Sequence, residues 1–177
     1  GENGNFELGP GTEIRVTGTI GFGLEAWDSE DGSSNRNGVY DIELFAGGAS
    51  IYHKVCDRFS FHETRYVNAC IDYSKKMHGG DIVHKCFLLP GNRMSLCKSS
   101  SDRGTLSFSG TGVQLVEYVL KDAAGNAARL QVRVKSVPAP VFSQPQQNFS
   151  AVFPWQEENV FTAEGMAVKI TPGNLYD

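Results

Sequence analysis

Two neighbouring runs of alternating apolar and polar residues constrain the fold of this chain more than any other feature of its sequence. Residues 113–121 and 127–135 place apolar side chains at roughly every second position, the period of a β-strand with one buried face. Between the runs lies Asp122-Ala-Ala-Gly-Asn126, where Gly125 can adopt the positive φ that a hairpin turn requires. The sequence therefore predicts a β-hairpin. Its facing apolar residues would be Val113, Leu115, Tyr118 (or Val116) and Leu120 on one strand, and Leu130, Val132 and Val134 on the other.

Shorter runs of the same kind precede this hairpin and indicate further strands. Residues 13–27 alternate in polarity, and the glycines among them favour a bulge or a tight bend. Residues 39–45 and 50–56 flank Ala46-Gly-Gly-Ala49, which predicts a second hairpin. Residues 58–77 lack the β period and favour an irregular segment with a helical turn. Further strands are predicted at Ile82–Leu89, Met94–Cys97 and Leu106–Phe108.

These patterns predict an all-β fold in two parts. Short strands separated by turn signals every 8 to 12 residues or so are typical of a β-sandwich. We therefore expect an immunoglobulin-like β-sandwich with irregular insertions over residues 1–137. Val137-Pro-Ala-Pro140 then predicts a boundary, because prolines stop strand pairing and stiffen linkers. Residues 138–177 would be a Pro-rich linker and a partial second β-module, with strands at Asn148–Phe153 and Ala167–Ile170.

Composition and charge argue against two classes of partner. The net charge is -4, and the lysines and arginines are scattered among acidic residues, so no basic stripe for nucleic acid is present. No apolar run approaches the roughly 18 residues that a membrane-spanning helix needs. Because the chain begins with Gly1 rather than Met, we expect any export signal to lie upstream of residue 1.

The cysteines leave the redox state of the chain open. Cys56, Cys70, Cys86 and Cys97 form an even set, which fits an exported protein with one or two disulfides and allows three full pairings. Free buried thiols are the alternative, since a domain of this size does not need a covalent bridge. No pair has the C-x-x-C spacing of redox motifs or zinc ribbons.

No motif for catalysis is present in the sequence. The four histidines form neither H-x-H nor H-E-x-x-H, and G-x-S-x-G and the dinucleotide-binding glycine loop are also missing. Cys56 follows His53 by three residues on a predicted strand, so the two side chains would lie on opposite faces. We therefore predict no catalytic residue, no cofactor and no enzymatic activity for this chain.

An acidic loop is the candidate metal site. Asp28, Glu30 and Asp31, with Asn35 and Asn37 beside them, supply the oxygen ligands that calcium prefers. Their spacing differs from that of an EF-hand loop, and a solvated turn is the alternative interpretation.

An aromatic group within residues 58–77 is the candidate ligand-binding surface. Phe61, Arg65, Tyr66 and Tyr73, together with Phe59, could form a platform on which sugar rings stack. Core packing is the alternative for these aromatics, with Arg65 paired to Glu63 or Asp72.

Two parts of the sequence resemble known families. Asp122–Asn126 between its two strands is similar to the last hairpin of bacterial immunoglobulin-like and fibronectin-like modules. A longer set of segments resembles the region that follows the peptidase domain in lysostaphin-like zinc endopeptidases of Bacteroidetes. These segments are Ile20–Asp28, Ser34–Phe45, Asp57–Asn68, Ile71–Tyr73 and Cys86–Asn92. The closing Ile170–Asp177 is similar to the start of the next β-module in those enzymes.

The second resemblance implies a setting rather than a reaction. Such enzymes cut the peptide crosslinks of peptidoglycan with a zinc ion, but the H-x-H and H-x-x-x-D motifs of their catalytic domain have no counterpart here. The resemblance implies an accessory module in the periplasm or cell envelope of a Gram-negative bacterium. Its partner would be a catalytic peptidase domain upstream of residue 1, and peptidoglycan or an envelope glycan is a further candidate partner. The rival hypotheses are a free-standing adhesin or carbohydrate-binding domain, and a hydrolase whose site is assembled from scattered residues.

Overall fold

A computed structural model describes residues 5–7, 12–29, 36–100, 102–138 and 149–174. Strands make up 45% and helices 10% of it, which confirms the prediction of an all-β fold. The chain divides into two compact units, residues 1–140 and 141–177. The interpretation of residues 138–177 as a linker and a partial second module stays a prediction.

The first unit contains thirteen described strands and two helical segments. In chain order the strands are β1 (Asn5–Glu7), β2 (Ile14–Val16), β3 (Gly18–Ile20), β4 (Gly23–Glu25), β5 (Asp28–Ser29), β6 (Arg36–Asn37), β7 (Asp41–Ala46), β8 (Ala49–Val55), β9 (Val83–Lys85), β10 (Cys97–Ser99), β11 (Leu106–Phe108), β12 (Gly112–Lys121) and β13 (Ala127–Ser136). A 3-10 helix, Phe61–Cys70, and the helix α1, Tyr73–Met77, lie between β8 and β9.

Seven of the described strands form one large sheet in the order β1-β13-β12-β7-β8-β10, with β2 also beside β13. The β7–β8 and β12–β13 pairs are the two predicted hairpins, and they are joined by antiparallel pairing of β7 with β12. Gly47 and Gly48 form the two-residue turn of the first hairpin with φ values of 57° and 83°, as a hairpin of this kind requires. Gly125 has a φ of 90° in the second turn, so both predicted hairpins and their turn residues are confirmed.

One face of this sheet carries the core. Its buried residues include Ile42, Leu44, Ala46, Val116, Tyr118, Val132 and Val134. The prediction that Val113 and Leu115 face inward is wrong, because both side chains are exposed. Side chains alternate between the two faces, so an inward Val116 places Val113 and Leu115 on the opposite face.

Short strand pairs cover the core from the other side. Residues 13–27 form strands, as predicted, but they are three short ones with different partners: β2 pairs with β13, β3 with β11, and β4 with β9. Gly18 stands at the first change with a φ of 74°. The Tyr118 hydroxyl on the large sheet donates a hydrogen bond to the Gly23 carbonyl at 3.3 Å, which connects the large sheet to the β4–β9 pair.

The segment between β8 and β9 is more helical than the sequence predicted. Its 3-10 helix buries Tyr66 and Cys70 against the core. Asp72 caps α1 by accepting a hydrogen bond from the Lys75 backbone N–H at 3.1 Å. An isolated bridge between Ile71 and His84 ties the segment to β9.

Two predicted strands beyond this segment have different bounds. The strand expected over Ile82–Leu89 is limited to β9, and the strand expected at Met94–Cys97 is displaced to β10, which begins at Cys97. The predicted strand at Leu106–Phe108 is confirmed as β11.

The second unit contains one described hairpin, β14 (Asn159–Ala163) with β15 (Met166–Ile170). The predicted strand at Ala167–Ile170 is confirmed. The one at Asn148–Phe153 is wrong for residues 149–153, which are not in a strand, and residue 148 lies outside the described residues. Among the described residues of the whole chain, no helix has the length and apolar character to span a bilayer.

Gly104 provides a test of how tightly the core loops are packed. A Cβ at this position would lie 3.0 Å from the Cys86 carbonyl oxygen, 3.2 Å from the Phe87 Cα and 3.3 Å from the Tyr52 Cβ, and its φ is +79°. Gly110 has a similar φ of +85°, but nothing lies within 4 Å of a Cβ there. We expect Gly104→Ala to lower the free energy of unfolding by about 2–4 kcal/mol, since steric overlap adds to backbone strain. The matched variant Gly110→Ala should lose about 1–2 kcal/mol from strain alone.

Urea unfolding monitored by circular dichroism measures the free energy of unfolding of each variant. Equal losses for the two alanine variants would show that the backbone around Gly104 relaxes freely and that its close contacts add no cost.

Candidate functional site

A cleft of about 420 Å³ opens between the end of β8, the helical segment and the chain that leads into β10. Its apolar walls are formed by Phe59, Val67, Ile71, Met94 and Leu96. Lys54, Asp57 and Arg58 bring charged groups to the same cleft, and Cys56 and Cys70 bring sulfur. The cleft therefore combines an apolar lining with cations and a buried thiol.

A β-bulge in β8 directs the Tyr52 side chain into the core, where its hydroxyl contacts Cys97. Leu44 pairs with Tyr52 while Phe45 pairs with Ser50, so Ile51 is an extra residue in the strand. As a result Ile51 and Tyr52 are consecutive and both buried, which a regular strand with one buried face does not allow.

Buried thiols surround the Tyr52 hydroxyl. The Tyr52 hydroxyl donates a hydrogen bond to the Cys97 Sγ at 3.2 Å, and the Sγ atoms of Cys97 and Cys70 are 3.9 Å apart. The Asn92 side-chain amide donates to the Cys70 Sγ at 3.5 Å. Cys86 is also buried and directs its thiol to the His84 carbonyl at 3.9 Å, whereas Cys56 is exposed. All four cysteines lie in the described ranges and are free thiols in this structure.

The two close thiols differ in their electrostatic environment. Hydrogen bonds from Cys97 and Asn92, and the positive charges of Lys54 and Lys85, hold the pKa of the Cys70 thiol below its usual range, although burial opposes the shift. The pKa of Cys97 is raised, first by its hydrogen bond to Cys70 and then by burial. Of the two thiols, Cys70 is therefore the one that ionises more readily.

Burial sets the pKa of the third buried thiol, against the opposing charge of Lys54. It raises the pKa of Cys86 to about 12, so this group stays protonated at neutral pH. Cys86 consequently lacks the thiolate character that reaction with an oxidant requires.

The four histidines make separate contacts. His53 Nε2 lies 2.9 Å from the Asp41 carboxylate, His62 Nδ1 lies 2.8 Å from the Ser60 hydroxyl, and His78 Nδ1 lies 2.7 Å from the Ser74 carbonyl. His84 is buried, with Nδ1 3.5 Å from the Lys54 Nζ. In the described part of the chain, no group of three histidine, cysteine, aspartate or glutamate side chains is arranged to hold a metal ion.

The structure divides the residues of the predicted aromatic platform between solvent and core. Phe61 is 89% exposed and Tyr73 is 45% exposed, whereas Tyr66 is 9% exposed and belongs to the core. The Arg65 guanidinium lies 4.9 Å from the centre of the Tyr66 ring and donates a hydrogen bond to its hydroxyl at 3.0 Å. Tyr66 thus follows the core interpretation, while Phe61 and Tyr73 remain accessible to a ligand.

The two acidic residues suggested as partners of Arg65 have other contacts. The Glu63 carboxylate accepts hydrogen bonds from the Ser95 backbone and hydroxyl at 3.1 and 2.7 Å, and these bonds lower the pKa of Glu63. They fasten the 3-10 helix to the chain before β10. Asp72 is the cap of α1.

Of the predicted calcium loop, the described residues include only the two ends, where β5 pairs with β6. Asp28 belongs to β5 and pairs with Asn37 in β6, while Glu30, Asp31 and Asn35 lie outside the described residues. Asp28 shares a shallow cleft of about 210 Å³ with residues that include Asp122. The Asp122 carboxylate already accepts two hydrogen bonds from Asn126. Calcium binding at this loop stays a prediction.

Sequence reasoning missed two side-chain arrangements. The Arg36 guanidinium stacks 4.0 Å from the centre of the Trp27 ring and pairs with Asp81 at 3.2 Å. Cys70 and Cys97 are 27 positions apart, so no short motif signals their contact. Only the pairing of β10 with β8 and the burial of the 3-10 helix bring the two sulfur atoms together.

Comparison of the chain with protein-family models, with curated proteins and with solved structures finds no match in any of the three. The resemblance to the region beside lysostaphin-like peptidase domains therefore stays a prediction.

His84 makes the stability of the fold depend on pH. Burial, and then the charge of Lys54, lower its pKa to about 4, although a hydrogen bond with the Ala26 backbone opposes the shift. The unfolded chain binds a proton near pH 6.5 and the folded chain only near pH 4, so stability falls as the pH falls between these values. We expect a loss of up to about 3 kcal/mol across this window.

Urea unfolding at pH 7, 6, 5 and 4 measures this loss. His84→Gln should flatten the dependence on pH, and His62→Gln, at an exposed histidine, is the matched control that should retain it. An unchanged pH profile in His84→Gln would show that other groups cause the acid sensitivity.

Proposed function

We propose that this chain is a non-catalytic interaction module of a cell-envelope protein, built on an immunoglobulin-like β-sandwich. The strand order supports this fold. In immunoglobulin-like domains the last two strands lie beside the third strand in one sheet, and an additional strand extends that sheet in variable-type domains. The order β13-β12-β7-β8 follows this arrangement, and β3 and β11 pair on the other side of the core as the second and fifth strands would.

The observation that carries the binding proposal is the exposed aromatic surface on the helical segment. We define the insertion surface as Phe59 with the cations Lys54 and Arg58, which line the cleft, and Phe61 and Tyr73, which lie on the helical segment. The three rings are exposed, and Phe59 also lines the cleft together with the two cations. Aromatic side chains dominate binding energy at interfaces, because they bury a large apolar area at a small cost in conformational entropy.

The chemistry of this surface fits peptidoglycan. Exposed ring faces can pack on the apolar faces of sugar rings, and lysine and arginine can pair with the carboxylates of the stem peptides. The Arg58 guanidinium contacts Asp57 at 3.6 Å, but both side chains are largely exposed. An exposed pair of this kind contributes little stability and can exchange for a ligand carboxylate.

The proposed setting is that of an accessory module for a cell-wall peptidase. The sequence resemblance supports a periplasmic or envelope location and a catalytic domain in the same full-length protein. The module would hold that domain on its substrate while contributing no catalytic residue. Its role would then be to raise the local substrate concentration for a domain that it is joined to.

The exposed aromatics also favour a second candidate, a free-standing adhesin or carbohydrate-binding domain. The two candidates differ in what the full-length protein contains. A zinc peptidase domain with an H-x-H motif in the same protein supports the accessory role, and its absence rejects that role while leaving the insertion surface in place.

Co-sedimentation with purified, insoluble peptidoglycan tests the binding proposal. The wild-type chain should be retained. Phe61→Ala should weaken binding about 5- to 30-fold, because truncating an aromatic residue at a binding hot spot costs about 1–2 kcal/mol. Phe149→Ala is the matched control, since Phe149 is 69% exposed and lies in the second unit.

Two outcomes would contradict the proposal. The first is the absence of wild-type retention, and the second is an equal loss of binding in Phe61→Ala and Phe149→Ala. Circular dichroism of both variants checks that each is folded.

A further inference from the structure

We propose that Cys70 and Cys97 form a disulfide bond that fastens the 3-10 helix to β10. Their Sγ atoms are 3.9 Å apart in the reduced protein, and both side chains are buried. A disulfide has an S–S length of about 2.05 Å, so the two sulfur atoms have to approach by roughly 2 Å. This inference does not depend on the proposed function.

The arrangement of the thiols selects one pair among those the sequence allows. Cys86 directs its thiol to the His84 carbonyl, and burial keeps it protonated. Cys56 is exposed at the end of β8, whereas Cys70 and Cys97 are already in contact. We therefore infer one bridge, with Cys56 and Cys86 left as thiols.

The groups around the pair favour the first chemical step. Asn92 donates to the Cys70 Sγ, Tyr52 donates to the Cys97 Sγ, and Lys54 and Lys85 supply positive charge. Charge and hydrogen-bond donors stabilise a thiolate, which is the form that attacks a disulfide. Cys70 also lines the 420 Å³ cleft, which is the side from which an oxidant would approach its sulfur.

The oxidant in this proposal is a small-molecule or protein disulfide, R–S–S–R. The Cys70 thiolate attacks one sulfur of the oxidant, the oxidant S–S bond breaks, and one RS⁻ leaves and is protonated. The Cys97 thiol then gives up its proton, and its sulfur attacks the Cys70 Sγ of the mixed disulfide while the second RS⁻ leaves and takes up a proton. The two protein thiols lose two electrons and two protons in total, and the oxidant becomes two RSH.

The bond would constrain the part of the chain that carries the cleft. It closes a loop over residues 71–96, which contains α1 and β9, and it ties the end of the 3-10 helix to the large sheet. A cross-link of this kind lowers the conformational entropy of the unfolded chain. It also limits movement of the helix that carries Phe61.

Oxidation with glutathione disulfide tests the proposal. The purified chain is reduced, freed of reductant, exposed to glutathione disulfide, alkylated in denaturant and digested without reductant for mass spectrometry. We expect one cross-linked species that joins the Cys70 and Cys97 peptides, with Cys56 and Cys86 recovered in alkylated form. The oxidised chain should melt roughly 5–15 °C above the reduced chain.

Serine variants distinguish this bridge from any other. Cys97→Ser should abolish the cross-link and the rise in melting temperature, and Cys86→Ser, at another buried thiol, should retain both. The digestion of the wild-type chain identifies the bridged cysteines even if a variant fails to fold. Alkylation of both Cys70 and Cys97 after oxidation, or a cross-link that contains Cys56 or Cys86, would overturn the proposal.

Discussion

The antiparallel pairing of β7 with β12 is the interaction on which the rest of the structure depends. It places Leu44 opposite Tyr118 and Ile42 opposite Leu120, and it joins two hairpins that are far apart in the chain. Each hairpin alone would expose one apolar face to water. An isolated two-stranded hairpin is therefore at best marginally stable. Their union creates a continuous apolar face, which the β3–β11 and β4–β9 pairs then cover.

The thiol pair and the cleft follow from this arrangement. The first hairpin holds β8 in the sheet, the bulge at Ile51 directs Tyr52 inward, and β10 adds to the free edge of β8. Because β10 begins at Cys97, this pairing brings the Cys97 thiol to the Tyr52 hydroxyl. The 3-10 helix supplies Cys70 from the other side. Tyr66 and Cys70 of this helix pack on the core, while Phe61 remains in solvent.

Local signals predicted the hairpins because those signals are complete within a few residues. Alternating polarity and the Gly-Gly and Gly-Asn turns need no distant partner to be interpreted. The inward face of β12 could not be predicted in the same way. Val113 and Leu115 occupy one face and Val116 and Tyr118 the other, so apolar side chains occur in both positions of the alternation. The packing partner Leu44 on β7 decides between the two faces.

The sequence by itself determined the all-β character of the chain, its two hairpins and the lack of a recognised catalytic motif. The tertiary structure alone decided which aromatic side chains of the helical segment are buried and which cysteines touch. The physical reason is that turn chemistry and strand period act over neighbouring residues. Burial of Tyr66 and the contact between Cys70 and Cys97 depend on which surfaces meet after the sheet has assembled.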